Sequence, residues 1–282
     1  MAGLNVIKDI DKMERLASEW RFDQNISLVP TMGYLHDGHL ALVKEAAKRS
    51  SKVVVSIFVN PLQFGPNEDF NRYPRDTERD LELLKEAGAD YVFIPDALEF
   101  TPPSINFTIS PGEMGTVLCG KYRPGHFDGV CTIVMKLLQL ISPGLAVFGW
   151  KDAQQFLILQ KMVQDLNIPV RLHALDTIRE SDGLAMSSRN IYLDSEQRKA
   201  APAIYRALQD LQVMTKSGTT SARNLTTHFL QSLTPYPQLE VQYIQVVSQE
   251  NLAPLELVIP EKTLIATAVY AGQTRLIDNI RL

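Results

Sequence analysis

Cysteine is scarce in this sequence, which contains only Cys119 and Cys131 among its 282 residues. A disulfide framework needs more cysteines, and neither residue has a second cysteine at the C-x-x-C spacing of a metal site. Cys131 lies in the apolar run VCTIVMKLLQLI, where core packing explains it. The scarcity excludes a disulfide-stabilised scaffold and favours an intracellular protein.

Long hydrophobic runs are also missing. No apolar stretch approaches the ~20 residues that cross a bilayer. The first residues, MAGLNVIKDIDKMERL, lack the basic region and the long apolar run of a signal peptide. We therefore expect a cytoplasmic protein with no membrane partner.

An excess of positive charge is the third missing feature. The formal net charge is −4, which argues against a nucleic-acid partner because such proteins favour a basic face. A local basic pocket for an anionic substrate is still compatible with this charge. The hydrophobic fraction, 45% of the residues, is enough for a sizeable core.

The first two-thirds of the chain alternates between strand-like and helix-like segments. Short apolar runs bounded by turn residues predict strands at 27–29, 53–59, 91–94, 145–148 and 169–175. Helical patterns lie between them at 38–49, 75–87, 128–140 and 152–166. Strands separated by helices predict an α/β fold with a doubly wound, mainly parallel sheet of the Rossmann-like type.

The pattern changes near Thr177. Helical periodicity at 195–215 and 221–233 is followed by strand-like runs at 239–247, 263–270 and 274–280. Helices followed by strands, without alternation, predict a smaller C-terminal α+β domain. We place the boundary after residue 176, so that residues 1–176 form the first domain and residues 177–282 the second.

Polar clusters follow three of the predicted strands at the point where each strand ends. MGYLHDGH follows the first strand, NPLQ follows VVVSIFV, and GWKD follows LAVF. Ligands of doubly wound sheets bind outside the carboxyl ends of the strands. The three clusters therefore predict a ligand site at one edge of the sheet.

His36 and His39 lie where the first of these strands passes into a helix, with Gly33 and Gly38 beside them. Helix N-termini bind anions through free backbone N–H groups. Histidines three residues apart share one side of the first turn and can hold phosphates, while glycine lets a nucleotide approach the backbone. The competing interpretation is a capped helix with two surface histidines.

Lys151 offers the compact positive charge that phosphoryl transfer uses, although a surface lysine fits the same position. Asp152 is either the cap of the next helix or a ligand. The loop 186–189, MSSR, provides two hydroxyls and a guanidinium for a phosphate, and Gly183 allows it to close as a lid. An ordinary polar loop is the alternative there.

Gln63 and Gln155 are neutral amides near predicted strand ends. An amide both donates and accepts, so the pair can fix a small hydroxy acid without neutralising its carboxylate. Solvated polar side chains are the alternative. The turn YRPGHF adds Arg123 and His126 as a further anion contact, although turn formation alone explains its proline and glycine.

Taken together, these segments resemble the pantoate–β-alanine ligase family. The motifs that carry the resemblance are PTMGYLHDGH, IFVNPLQFGPNEDFNRYPR, YRPGHFDGV, FGWKDAQQ and MSSRN, in this order along the chain. The H-x-G-H string alone is shared by the wider nucleotidyltransferase superfamily, which includes class I aminoacyl-tRNA synthetases. The second and third motifs are more specific.

The resemblance implies an ATP-dependent ligase that condenses (R)-pantoate with β-alanine through a pantoyl adenylate, releasing pyrophosphate and AMP. It implies that Mg²⁺ arrives with ATP, without a dedicated carboxylate cage in the protein. It also implies a homodimer, with residues 1–176 binding ATP and pantoate and residues 177–282 forming a lid.

The resemblance also assigns residue roles. The implied ATP contacts are Met32, Gly33, Tyr34, Leu35, His36, Asp37, Gly38, His39, Gly149, Trp150, Lys151, Asp152, Ile178, Met186, Ser187, Ser188 and Arg189. The implied substrate contacts are Gln63, Gln155, Asn60 and Arg123, with Asn60 near the incoming amine. His36, His39 and Lys151 form the catalytic group, and His39 is expected to be a protonated donor to the transition state.

One departure from the family pattern is visible. Trp150 stands where the family commonly has a glutamate, so no acidic role is assigned at this position. The indole either packs beside the nucleotide or faces another part of the structure.

Other functions stay open beside this one. A different small-molecule nucleotidyltransferase of the H-x-G-H superfamily would share His36 and His39 but would not need the two amides. A nucleotide-binding module without catalysis is less compatible with Lys151 accompanying both histidines. A tRNA synthetase does not fit a short, acidic chain without an obvious tRNA-binding extension.

Overall fold

The computed structural model describes residues 3–20, 25–66 and 68–282, so that Asn67 of the second motif lies outside the described residues. The strands are β1 (Asn5–Ile7), β2 (Ile26–Thr31), β3 (Lys52–Ile57), β4 (Tyr91–Phe93), β5 (Leu145–Gly149), β6 (Arg171–Leu175), β7 (Leu239–Ser248), β8 (Thr263–Ala271) and β9 (Thr274–Arg281). The helices are α1 (Ile10–Trp20), α2 (Asp37–Arg49), α3 (Thr77–Ala87), α4 (Ala97–Phe100), α5 (Cys119–Tyr122), α6 (His126–Ile141), α7 (Ala153–Asp165), α8 (Ser195–Ala200), α9 (Ala203–Lys216) and α10 (Ala222–Leu233).

The first six strands form one parallel sheet in the order β1-β4-β3-β2-β5-β6. This sheet is buried on both faces: in β2, Ile26 and Leu28 belong to one apolar cluster and Val29 to another. Helices α6 and α7 contribute to the first cluster, and α2 and α3 to the second. Burial on both faces is typical of a parallel sheet covered by helices. The predicted doubly wound α/β fold is therefore confirmed.

The strand order positions the three polar clusters. The strands that precede them, β3, β2 and β5, are neighbours at the centre of the sheet. After β2 the chain continues to β3 on one side, whereas β5 pairs with β2 on the other side. Open α/β sheets bind ligands at such a change of direction. The clusters thus share one edge of the sheet, as the sequence predicted.

The C-terminal part contains an antiparallel sheet of β7, β8 and β9. One face packs against α9 and α10, through residues such as Leu208 and Phe229. The other face contributes Tyr243 and Ala268 to the larger apolar cluster of the parallel-sheet domain. The predicted smaller α+β domain is confirmed, while the boundary after residue 176, one residue beyond β6, stays a prediction.

Two features differ from the sequence-based expectations. Strand β1 and helix α1 were not predicted, because β1 offers only three residues of pattern. The single helix expected over 195–215 is wrong: α8 ends at Ala200 and α9 begins at Ala203. Pro202 lies between them, and a proline inside a continuous helix removes a hydrogen bond and clashes with the preceding turn. Among the helices of the described residues, none combines the length and the apolar character needed to cross a bilayer.

Candidate active site

A cavity of about 170 Å³ opens at the carboxyl edge of β2 and β5. The predicted site residues that line it are Met32, His36, Gly38, His39, Gly149, Lys151, Asp152, Gln155, Ile178, Met186, Ser187, Ser188 and Arg189. Pro30, Leu42 and Phe148 add apolar surface to the same wall. The structure therefore brings together four segments that are distant in sequence.

Five of the implied ATP contacts lie outside this lining: Gly33, Tyr34, Leu35, Asp37 and Trp150. Leu35 is buried in the core beside α2. Trp150 is buried too: its ring lies 5.5 Å from the ring of Phe156, and the guanidinium of Arg281 lies 4.4 Å from the indole centroid. The indole thus faces another part of the structure, and contact of these five residues with ATP stays a prediction.

The two histidines cap the helix that they begin. Nδ1 of His36 accepts a hydrogen bond from the Gly38 N–H at 3.1 Å, and Nδ1 of His39 accepts one from the His36 N–H at 3.4 Å. Because Nδ1 is the acceptor in both rings, the proton of each neutral imidazole is assigned to Nε2. The ring centroids are 4.1 Å apart. The site therefore presents two adjacent Nε2–H donors.

Electrostatics keep both imidazoles neutral. Burial, followed by the charge of Lys151, lowers the pKa of His36 to about 4. Burial, followed by the effects of His36 and Lys151, holds the pKa of His39 well below its usual value. Protonation of Nδ1 would also remove the acceptor of each capping hydrogen bond. These surroundings favour a neutral His39, and the protonated donor expected for the transition state stays a prediction.

Glycine is required at position 38 because of the capping geometry. The His36 ring lies so close to this backbone that a Cβ on Gly38 would be 2.8 Å from its Cε1 atom. A side chain here would displace the ring from its capping hydrogen bond. The glycine of the H-x-G-H string thus holds His36 in place as well as lining the cavity.

Asp80 fixes the turn that leads into the histidines, and it was not among the residues predicted from the sequence. Its carboxylate accepts hydrogen bonds from the backbone N–H groups of Tyr34 and Leu35, both at 2.7 Å. The side chain is only 1% exposed. A signal for it existed: Asp80 shares the buried stripe of α3 with Leu84 and Ala87, where an acidic residue is out of place.

Asn60 and Gln63 lie beside the cavity rather than in its lining. Asn60 is buried, and its amide donates to Oε1 of Gln63 at 3.1 Å and to the Gly129 carbonyl at 3.0 Å. Gln63 then directs its Nε2 toward the sulfur of Met32 at 3.3 Å. A Cβ on Gly129 would lie 2.3 Å from the Leu62 carbonyl oxygen, so glycine is needed for this close approach. Asn60 positions Gln63, and its contact with an incoming amine stays a prediction.

The MSSR loop is tied to the 3-10 turn Phe70–Arg72, which follows β3. Arg189 forms a bidentate ion pair with Asp69, with both N–O distances 2.9 Å. The hydroxyl of Ser188 lies 3.2 Å from the hydroxyl of Tyr73. Asp69 and Tyr73 belong to the second motif, but no role was predicted for them. Their contacts hold the predicted phosphate-binding loop against the parallel-sheet domain.

Arg123 lines a neighbouring cavity of about 100 Å³, which shares Lys151, Asp152, Gln155, Ser187 and Arg189 with the first. Its guanidinium is bidentate to Glu68, at 2.6 and 2.5 Å. His126 donates from Nδ1 to the Gln63 carbonyl at 2.8 Å and accepts from Arg123 at Nε2, 3.0 Å away. Burial, followed by the charge of Arg123, lowers the pKa of His126 to about 4, which agrees with this neutral form.

Lys151 and Asp152 lie on the 3-10 turn Trp150–Asp152 after β5. Within residues 3–20, 25–66 and 68–282, the ammonium of Lys151 forms no ion pair, so its charge is available to a ligand. Asp152 stands at the cap position of α7, but its carboxylate accepts no hydrogen bond there. The side-chain cap considered for Asp152 is therefore wrong. No cluster of three metal-binding side chains occurs in the same described ranges.

Comparison with known proteins identifies the family. The family model for pantoate-beta-alanine ligase matches residues 5–281. A pantothenate synthetase from Fervidobacterium nodosum is 48% identical over 98% of this chain and 99% of its own length. One from Carboxydothermus hydrogenoformans is 50% identical, covering 95% of this chain and 94% of its own length.

Solved structures agree with the sequence relatives. The crystal structure of pantothenate synthetase from Thermus thermophilus matches with a TM-score of 0.91 at 40% identity, over 98% of this chain and 99% of that chain. The pantoate-beta-alanine ligase of Francisella tularensis matches with a TM-score of 0.80 at 32% identity, over 99% and 98%. The chain belongs to the pantoate-beta-alanine ligase family.

Proposed function

We propose that this chain condenses pantoate with β-alanine at the expense of ATP, through a pantoyl adenylate. The observation that carries the proposal is the convergence of His36, His39, Lys151 and Arg189 on one cavity, with the amide of Gln155 beside them. The Francisella tularensis relative was solved in complex with an ATP compound and β-alanine, which fits these two substrates.

In the first step, a carboxylate oxygen of pantoate attacks the α-phosphorus of ATP. As the new O–P bond forms, the bond between the α-phosphorus and the oxygen that bridges it to the β-phosphorus breaks, and pyrophosphate leaves. Negative charge grows on the leaving group, where the Lys151 ammonium and the Nε2–H groups of His36 and His39 stabilise it. Neutral donors suit this role, because a fixed N–H dipole needs no proton transfer.

In the second step, the amine of β-alanine attacks the acyl carbon of the adenylate. The C–N bond forms, the bond from the acyl carbon to the AMP oxygen breaks, and the amine gives up a proton to solvent. Gln155 and Gln63 hold the pantoyl group, and no side chain forms a covalent intermediate. Rate enhancement therefore comes from positioning and charge stabilisation.

Mg²⁺ belongs to the proposal as a partner of ATP. The donor chemistry fits: Asp152 lines the cavity, and its carboxylate has no ion-pair partner in the described part of the chain. Mg²⁺ commonly binds through one or two carboxylates, phosphate oxygens and water. Asp152 would hold it, and the ion would neutralise part of the phosphate charge.

A homodimer and a cytoplasmic location complete the proposal. The homodimer comes from the family resemblance and the cytoplasmic location from the sequence composition. The oligomeric state is open to measurement by sedimentation equilibrium at several protein concentrations. A single species at the monomer mass would contradict the dimer.

The function is tested by supplying ATP, pantoate and β-alanine and measuring AMP and pantothenate together. Equal amounts of both products are expected. Omitting β-alanine should leave exchange of labelled pyrophosphate into ATP that depends on pantoate. Exchange without pantoate, or no exchange with it, would contradict the first step and favour another nucleotidyltransferase.

A further inference from the structure

Asn279 connects the C-terminal strand to the turn that carries Lys151. Its side-chain nitrogen donates to the carbonyl oxygen of Trp150 at 3.1 Å and to that of Lys151 at 3.0 Å. The residue lies on β9 in the smaller domain and is only 5% exposed. The orientation of the amide follows from its surroundings, because an oxygen in the same place would face two carbonyl oxygens.

The two accepting carbonyls belong to the peptide groups on either side of the Lys151 α-carbon. Hydrogen bonds to both peptide groups fix the position of the Lys151 α-carbon. The Lys151 side chain is long and flexible, so the place of its ammonium depends on this starting point. Asn279 thus constrains a cation that it does not touch.

The preceding residue anchors the other phosphate-binding segment. Asp278 is 5% exposed and forms a bidentate pair with Arg179, at 2.6 and 2.8 Å. Arg179 also donates to the Gly183 carbonyl at 3.1 Å, three residues before the loop 186–189. The backbone N–H of Asn279 in turn donates to the Asp278 carboxylate at 2.8 Å. Two adjacent residues of β9 therefore anchor both cationic segments of the cavity: Asn279 the turn that carries Lys151, and Asp278 the chain that leads to the loop 186–189.

We propose that Asn279 is a positioning residue for adenylyl transfer, acting through the backbone of Lys151. The inference rests on the proposed function. It assigns the smaller domain a role in placing Lys151, which belongs to the larger domain. Without the two donors, both carbonyls lose a hydrogen bond and the turn is held less firmly.

A double-mutant cycle tests this coupling. In single-turnover adenylate formation at saturating ATP and pantoate, Asn279→Ala should reduce the rate at least about 10-fold, since small displacements of a catalytic group have effects of this size. In the Lys151→Ala background the same substitution should change the rate less than about 2-fold. An equal loss in both backgrounds would indicate a merely structural role and overturn the proposal.

Asn279→Asp provides a second test with an isosteric side chain. The introduced carboxyl donates a hydrogen bond only when it is protonated, and burial beside two carbonyl oxygens raises its pKa. Relative to the parent, the variant should therefore lose rate as the pH rises from 6 to 8. Parallel pH profiles of the parent and Asn279→Asp would contradict the proposal. This test remains valid if Asn279→Ala does not fold.

Arg281→Ala is the matched control on the same strand. Arg281 pairs with Asp176 and lies over Trp150, and no hydrogen bond or ion pair joins its side chain to Lys151. Arg281→Ala should change the rate less than about 2-fold. A decrease in rate as large as that caused by Asn279→Ala would show that both variants act through the general docking of β9. A parent chain that makes no pantothenate would contradict the function itself, whereas an active parent matched by Asn279→Ala contradicts only the positioning role.

Discussion

Arg189 and Asp69 form a two-point ion pair between the smaller domain and the turn after β3, through Nε and Nη2 of the guanidinium. This geometry leaves Nη1 free of Asp69, so the guanidinium keeps donors for a phosphate while its plane is fixed. Asp69 therefore orients the predicted phosphate-binding group, Arg189, without using all of the hydrogen-bonding capacity of its guanidinium.

The first prediction concerns this pair. Asp69→Ala should raise KM for ATP about 10-fold, because the freed guanidinium must be ordered when the phosphate binds. KM for pantoate should change less than about 2-fold. Steady-state kinetics with each substrate varied in turn measure both values. Asn71→Ala, an exposed neighbour on the same turn, is the control, and an unchanged KM for ATP in Asp69→Ala would show that Arg189 needs no orienting partner.

The second prediction separates the two functions of His39. Asn at position 39 keeps an acceptor near the place of Nδ1, whereas Gln keeps a donor near the place of Nε2. If Nε2–H stabilises the leaving pyrophosphate, His39→Asn and His39→Ala should each lose at least ~10²-fold in adenylate formation. His39→Gln should keep more of the rate although its helix cap is weakened. Single-turnover measurements rank the three variants. If His39→Asn is faster than His39→Gln, the helix cap matters more than the Nε2–H donor.

The third prediction follows from the lowered pKa values of His36 and His126, both about 4. In the unfolded chain these histidines titrate near 6.5, so between pH 6.5 and 4 the unfolded state binds more protons than the folded state. Above pH 6.5 these two histidines should therefore make their full contribution to the free energy of unfolding. The contribution should fall as the pH decreases, by about 1–2 kcal/mol for each histidine at pH 5.

Urea unfolding at pH 7, 6 and 5 measures this dependence. His36→Asn should show a shallower decline than the parent between pH 6.5 and 5, because one proton-binding group of the unfolded chain is removed. Carboxylates contribute little in this range, since their ordinary pKa values lie lower. Identical slopes in parent and variant would mean that His36 titrates normally in the folded protein.

Much of this structure was predictable from the sequence, and particular residues show where prediction stopped. The apolar runs before His36, Asn60 and Gly149 predicted three strands, and the rule for doubly wound sheets placed their ends at one edge. Contacts between distant segments were not predictable, because no local pattern links Asp80 to the amides of Tyr34 and Leu35, or Asn279 to Lys151. The same limit applies to charge: two histidines beside a lysine suggest a cationic site, and only their burial reveals that the pKa of each imidazole is lowered.

The last prediction concerns Lys151, which has no ion-pair partner in the described part of the chain and lines both neighbouring cavities. Lys151→Met keeps most of the side-chain length and removes the charge. If the ammonium stabilises the charge that develops as pyrophosphate leaves, adenylate formation should fall at least ~10²-fold. The thermal unfolding midpoint should stay within about 2 °C of the parent, since no native ion pair is lost.

The second half-reaction, measured with preformed pantoyl adenylate and β-alanine, should be much less affected by Lys151→Met because no pyrophosphate leaves in it. Equal losses in both half-reactions would assign Lys151 to binding of the adenylate rather than to the departure of pyrophosphate.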